Sequence, residues 1–276
     1  MLLFPLFLIA QQRVIVDTDI DSDVDDAGTL AMLYTFHKQH KINLLGTIVT
    51  SDDPFAATCV SAFNAFYGMG QLPLGFLEGQ SSLKNHSRYT RQISEEFPHD
   101  LASWRDAEVA THTYRKLLAE SPDHSVVILT IGHLSSLQKL LQSSADQYSP
   151  LNGKQLVEAK VRKWYCMGGL FPEGKEANFS RPDPASTVYC LANWTKDVVF
   201  CGWEIGQQVV TGDAALKAKL PREHPMYRAY ELYNNFQGRA SWDQVTAFLL
   251  SDEASRYFEL DNAGSCQLQA DGSNRW

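Results

Sequence analysis

The chain has 276 residues, of which 44% are hydrophobic and 20% charged, and its formal net charge is -8. This balance excludes a disordered, collagen-like or coiled-coil protein, and the negative charge makes nucleic acid an unfavourable partner. No stretch reaches the roughly 18 consecutive apolar residues of a membrane helix, so we expect no stable membrane insertion.

The five cysteines lie far apart along the chain, form no CxxC motif and are odd in number. This pattern argues against a zinc knuckle and against a complete disulfide framework. We expect buried free thiols instead.

Residues 1–10 read MLLFPLFLIA and have the length of the apolar part of an export signal, but no basic residue precedes them. An export segment at 1–12, an extra strand and a misassigned start all stay open. The protein is therefore either exported or cytoplasmic.

From residue 13 onward, strand-like and helix-like segments alternate. The hydrophobic pattern predicts strands at 13–17, 42–50, 72–77, 125–130, 161–167 and 197–201. It predicts helices at 25–39, 54–67, 104–120, 134–142, 152–159, 184–194, 224–236 and 242–250, with loops at 78–100 and after 259. The alternation indicates one α/β domain over 13–276, an open, mostly parallel sheet with helices on both faces. Ligands bind such sheets outside the carboxyl ends of the strands.

The most acidic stretch lies where the first strand ends and the first helix begins. Residues 17–26 read DTDIDSDVDD, so six of these ten residues are Asp. Carboxylates this close repel one another strongly unless a cation neutralises them, and oxygen ligands suit Ca²⁺ or Mg²⁺. An EF-hand does not fit, because Ser22 and Gly28 stand where that loop needs Gly and Glu. We therefore expect a metal site of another kind.

Two known families share features of this loop. A DxD at a strand end resembles haloacid-dehalogenase-type phosphatases, in which Asp17 would be the nucleophile, although the Gly-Thr that usually follows is missing. The loop is more similar to the DxDxxxDDA signature of the nucleoside hydrolases. Here that signature reads DTD at 17–19 and DDA at 25–27, with five residues in the gap instead of three.

Further motifs resemble the nucleoside hydrolases, in the same order along the chain. They are VILTIGHLSSL at 127–137, KVRKWYCMGG at 160–169, EAN at 176–178 with DPA at 183–185, and WD at 242–243. The resemblance covers roughly residues 13–250. It implies the fold of that family, in a divergent branch, and a nucleoside as the small-molecule partner.

The resemblance also implies a Ca²⁺-dependent N-ribohydrolase and assigns roles to residues. The implied metal ligands are Asp19, Asp26, the main-chain carbonyl of Ile131 and Asp243. Asp19 would also be the catalytic general base that accepts a proton from the attacking water. The implied substrate contacts are Asp25 at the ribose 2′ hydroxyl, Glu176 and Asn178 at the ribose, and Trp242 at the base.

Trp242 stands where many members of the family carry a His that can protonate the departing base. Indole cannot act as an acid at neutral pH, but it can stack on a purine, so we expect a preference for purine nucleosides. Two alternatives stay open: a phosphatase that uses Asp17, and a binding protein that keeps the calcium–ribose site without hydrolysing its ligand. Asp52 and His133 also follow predicted strands and are candidates for either pocket or surface positions. A homo-oligomer is compatible with the sequence.

Overall fold

The computed structural model describes residues 11–79, 83–261 and 264–276. Its strands are β1 (Gln12–Thr18), β2 (Ile42–Val49), β3 (Leu74–Phe76), β4 (Glu108–Val109), β5 (Val126–Thr130), β6 (Val161–Met167), β7 (Glu173–Gly174), β8 (Val198–Cys201), β9 (Val210–Thr211), β10 (Arg239–Ala240), β11 (Gln267–Leu268) and β12 (Asn274–Arg275). Its α-helices are α1 (Asp25–Lys38), α2 (Ala56–Phe66), α3 (Thr90–Glu96), α4 (Ala110–Ala119), α5 (Ser135–Gln142), α6 (Gly153–Lys160), α7 (Ala177–Ser180), α8 (Pro184–Asn193), α9 (Trp203–Gly206), α10 (Ala214–Lys219), α11 (Pro225–Asn234) and α12 (Trp242–Phe248). Residues 1–10, the apolar part of the predicted export segment, lie outside the described residues.

A seven-stranded sheet in the order β4-β3-β2-β1-β5-β6-β8 forms the centre of the molecule. Every neighbouring pair in this sheet is parallel. The chain runs from β1 through β4 towards one edge and then places β5 on the other side of β1. The strand order therefore reverses between β1 and β5, and ligands bind at the carboxyl ends of strands around such a point.

Alternate side chains of the strands supply a separate core on each face of the sheet. Val14 and Val16 pack on the face covered by α1, α2 and α11. Ile15 and Ile128 pack on the opposite face, against α4, α5, α6 and α8. The predicted α/β fold, a parallel sheet with helices on both faces, is confirmed.

Three segments differ from the prediction. The segment after 259 is not a loop throughout, because β11 pairs with β12 and β12 pairs with β7. The segment 78–100 is not a loop throughout, because Tyr89 and Ile93 are fully buried and anchor α3 against the body of the protein. The single helix predicted at 104–120 is also wrong. Ser103 caps a short 3₁₀ turn at Trp104–Asp106. Glu108 and Val109 then pair with β3 as β4, and α4 begins only at Ala110.

The cysteines agree with the prediction of free thiols. All five are unpaired, and all except the half-buried Cys266 are buried. None of the described helices is both long and apolar enough to cross a membrane.

Candidate active site

A cavity of about 610 Å³ opens at the carboxyl ends of β1, β2, β5 and β6, on both sides of the point where the strand order reverses. Its wall is completed by α7, by β10 and by the first turn of α12. The volume lies within the range of about 300 to 1,000 Å³ that is typical of small-molecule sites. A ligand the size of a nucleoside therefore fits here.

Four carboxylates meet at one side of this cavity: Asp23, Asp25, Asp26 and Asp243 each offer an oxygen, and these oxygens lie within 4.8 Å of one another. The first three come from the acidic loop and the start of α1, and the fourth from α12. The two helices are tied together by the backbone N–H of Asp243, which donates to Asp25 Oδ2 at 3.1 Å. Gly28 lies at this contact, where a Cβ would come within 2.4 Å of the Gln244 side-chain amide on α12. We call these four residues the carboxylate group.

The carboxylate group carries more negative charge than its surroundings balance. Burial raises the pKa values of Asp25, Asp26 and Asp243 well above their usual range, and repulsion from neighbouring carboxylates raises them further. Asp25 Oδ1 is buried and accepts no hydrogen bond from the described residues. A set of oxygen donors with excess negative charge and one unbonded oxygen fits a hard cation such as Ca²⁺ or Mg²⁺.

Asp19 directly follows β1 and lies beside the carboxylate group. Its side chain packs against the backbone that follows β5. A Cβ on Gly132 would come within 2.6 Å of the carboxyl carbon of Asp19, so the carboxylate packs directly against that backbone. Ile131 lines the same cavity, and its N–H donates to the main-chain oxygen of Asp17 at 2.8 Å. Burial, followed by repulsion from Asp21, raises the pKa of Asp19 well above its usual range. Three of the four predicted metal ligands, Asp19, Ile131 and Asp243, thus line the cavity, and the fourth, Asp26, lies next to Asp243 in the carboxylate group.

Asp17 has a different environment. Its carboxylate accepts hydrogen bonds from the hydroxyls of Thr50 and Tyr114 and is 1% exposed. Burial raises the pKa of Asp17 to about 7. Asp17 is absent from the lining of the cavity. These contacts suit a residue that joins β1, β2 and α4, and they disfavour Asp17 as a nucleophile.

Glu176 and Asn178 line the cavity at α7. The Glu176 carboxylate accepts the backbone N–H groups of Gly169, Asn178 and Phe179 at 3.1, 2.8 and 3.2 Å and so caps this short helix. The Asn178 side-chain amide donates to the sulfur of Met167 at 3.1 Å. Both residues are rigidly placed, and each keeps oxygen lone pairs for a ligand.

Trp242 stands at the mouth of the cavity, one residue before the fourth carboxylate. Its indole N–H donates to the main-chain oxygen of Trp203 at 2.9 Å, and the two rings are nearly parallel with centroids 6.4 Å apart. The guanidinium of Arg239 lies over the Trp242 ring, 4.7 Å from its centroid. The predicted base-stacking residue is therefore in an aromatic wall, next to a cation that sequence reasoning missed.

A second group of potential ligands lies across the acidic loop. His86 Nε2 is 3.5 Å from Asp21 Oδ2 and 3.3 Å from Asp52 Oδ1. The hydroxyl of Ser51 donates to the same Asp21 oxygen at 2.7 Å. Asp52 is thus a cavity residue, one of the two alternatives left open. His86 was missed because it lies in the polar segment 78–100, which has no motif.

His133 is a cavity residue too. It is buried, and its Nδ1 lies 3.0 Å from the hydroxyl of Ser135, which donates to Asp183 at 3.1 Å. Burial lowers the pKa of His133 to about 4, so its ring is neutral at neutral pH. Asp183 also accepts the backbone N–H of Ser186 and caps α8, which confirms the predicted helix start.

Sequence comparison alone finds no relative: no family model and no curated protein matches the chain. Solved structures do match. A plant nucleoside hydrolase, the PpNRh1 enzyme, is 17% identical with a TM-score of 0.65 over 95% of this chain and 84% of that chain. A purine-preferring ribonucleoside hydrolase from Gardnerella vaginalis is 15% identical with a TM-score of 0.69 over 96% of this chain and 88% of that chain.

A protein of another kind is similar to the same extent. The type III effector XopQ, solved with adenosine diphosphate ribose, is 13% identical with a TM-score of 0.67 over 90% of this chain and 83% of that chain. The fold alone therefore does not separate enzymes from effectors. What these likenesses establish is that the chain has the nucleoside hydrolase fold, as its motifs predicted.

Proposed function

We propose that residues 13–276 form one catalytic domain, a metal-dependent hydrolase that cleaves ribonucleosides to free base and ribose. The observation that carries this proposal is the buried carboxylate group at the reversal point of a nucleoside hydrolase fold, with Asp25 Oδ1 unbonded. Such a group is unfavourable without a cation.

The chemistry requires a water nucleophile at C1′ of the ribose and a base for its proton. Ca²⁺ held by Asp19, Asp26 and Asp243, together with the Ile131 carbonyl, would neutralise the acids and lower the pKa of water. Asp19, beside the carboxylate group, accepts the proton of the attacking water in this proposal.

The sugar and the base are held by different walls of the cavity. Asp25 binds the 2′ hydroxyl through its unbonded oxygen, while Glu176 and Asn178 bind the rest of the ribose. Trp242 contacts the base, which favours purines because they present the larger face for stacking. The ligand is a small molecule, and a homo-oligomer stays a prediction.

The second candidate is a protein that binds ribosides without hydrolysing them. The likeness to an effector solved with adenosine diphosphate ribose supports it. Arg181 lines the cavity, is exposed, and forms no ion pair among the described residues, so it is free to meet an anionic group. A phosphatase that uses Asp17 is the weakest reading, because that carboxylate lies off the cavity wall.

One experiment separates these candidates. Purified protein is incubated with inosine, guanosine, adenosine, uridine and adenosine diphosphate ribose, with Ca²⁺ or with a chelator, and free base and ribose are quantified. The hydrolase releases both in equal amounts, and only with the metal. Binding seen by calorimetry without any release supports the second candidate, and release of inorganic phosphate from phosphate esters supports the phosphatase.

A further inference from the structure

Arg239 is a cation inside an otherwise acidic cavity. It belongs to β10, lines the cavity wall and is about one-third exposed, with 32% of its side chain accessible. Its Nη2 donates to Asp23 Oδ2 at 2.7 Å. The guanidinium centre lies 4.7 Å from the ring centroid of Trp242 and 5.8 Å from that of Tyr233. An ion pair and two rings thus fix its position.

Most N–H groups of this guanidinium donate no hydrogen bond to the described residues. Arginine carries five N–H groups in a rigid plane, and among the described residues only Asp23 accepts from Arg239. Its Nε is buried and has no partner there. Burying such a donor is costly unless a ligand or another group satisfies it. The unused donors point to an acceptor that is not part of the chain.

The proposed hydrolysis lacks a group that assists departure of the base. When the C1′–N bond breaks, its electron pair moves onto the base, while the water oxygen bonds to C1′ and its proton moves to a carboxylate. The negative base then takes a proton from solvent. The Trp242 N–H cannot help, because it is already donated to Trp203, and no His precedes Asp243.

We propose that Arg239 is a catalytic residue that donates hydrogen bonds to the acceptor edge of the departing base and so stabilises the charge that builds there. The proposal rests on the proposed ribohydrolase function. Guanidinium donors match the O6 and N7 acceptors of 6-oxopurines in pairs, so hypoxanthine and guanine are the preferred leaving groups. The guanidinium stays charged throughout, because its pKa is too high for it to give up a proton.

The test compares two substrates that differ in the charge of the leaving group. Inosine releases an anionic base, whereas 7-methylinosine releases a neutral one that needs no such donor. We expect Arg239→Met to lower kcat/KM about 10²-fold or more on inosine, as loss of a preorganised donor does, and only about threefold or less on 7-methylinosine. Arg239→Lys keeps the charge without the planar fork and should recover little of the inosine rate.

Two controls exclude a merely structural effect. Arg88→Met removes an arginine that stacks on Tyr233 at 5.2 Å but is absent from the cavity lining, and it should leave both rates unchanged. In the double variant Asp23→Asn/Arg239→Met the charges balance again. If Arg239 served only to neutralise Asp23, this double variant would recover the inosine rate, and that recovery would overturn the proposal. Equal losses on both substrates would overturn it too.

Binding of the free base keeps the inference testable if the protein is not a hydrolase. Measured by calorimetry, the Kd of hypoxanthine should be about tenfold or more higher for Arg239→Met than for the unchanged protein, because hydrogen bonds to a charged donor are lost. Equal affinities, or no binding to either protein, would refute the contact. If no nucleoside releases its base but hypoxanthine binding still depends on Arg239, the proposed hydrolase function is refuted and the Arg239 contact is not.

Discussion

Replacing one carboxylate of a group that repels itself should stabilise the metal-free protein. Two full charges no more than 4.8 Å apart repel by at least about 3.5 kcal/mol at an effective dielectric constant of about 20. Partial protonation relieves some of this repulsion, so we expect Asp243→Asn to raise the free energy of unfolding in chelator by about 1 to 3 kcal/mol. The substitution leaves intact the backbone N–H of Asp243 that donates to Asp25.

The assay is thermal unfolding in chelator and in excess Ca²⁺. For a chain of this size, each kcal/mol corresponds to about 2 to 4 °C in Tm. Asp243→Asn should therefore melt higher than the unchanged protein in chelator, and it should gain less from Ca²⁺. Asp252→Asn, an exposed acid soon after α12, is the matched control and should change neither value. A lower Tm in chelator combined with a full response to Ca²⁺ would refute the idea of a strained carboxylate group.

The raised pKa values of Asp25, Asp26 and Asp243 mean that the metal-free folded state binds protons that the unfolded chain releases. The contribution of these three groups to stability therefore falls as pH rises above about 4. Ca²⁺ competes with those protons, and the rise in Tm that it causes should grow between about pH 5 and pH 8, as melting curves will test. Asp19→Asn should lower kcat at least about 10²-fold in a nucleoside assay, whereas Asp17→Asn should leave turnover detectable. Gly132→Ala would push a Cβ into Asp19 and should lower kcat by displacing that carboxylate. In the double variant Gly132→Ala/Asp19→Asn, kcat should therefore be little lower than in Asp19→Asn alone. Trp242→Ala should reduce kcat/KM selectively on inosine and guanosine relative to uridine, with Tm nearly kept. Equal losses on all three with a large fall in Tm would make that residue structural.

The sequence was sufficient for six of the seven strands of the central sheet and for the place of the candidate site, because both depend on local patterns. Alternation within β1 separates Val14 and Val16 from Ile15, and the acidic run marks the end of that strand. The meeting of Asp25 with Asp243 joins residues 218 positions apart. No local pattern encodes such a contact, and only the family resemblance anticipated it.

Other parts of the site had no signal in the sequence. The spacing of Tyr89 and Ile93 is helical, but two apolar residues in a polar segment are too few to define a helix. His86 lies in the same polar segment and reaches the cavity only because that segment folds back over it. Arg239 is an ordinary arginine in the sequence, and its role depends on an ion pair across 216 positions.

The two additional acids of the longer acidic loop, Asp21 and Asp23, each have a partner elsewhere in the chain. Asp23 is bound by Arg239, and Asp21 is bound by Ser51 and faces His86. The acids in the widened gap thus have partners within the chain. The other three members of the carboxylate group are Asp25, Asp26 and Asp243. Among the described residues, no Lys, Arg or His forms an ion pair with any of them. Asp21 and Asp23 thus have partners, whereas a divalent cation would balance the negative charge of Asp25, Asp26 and Asp243.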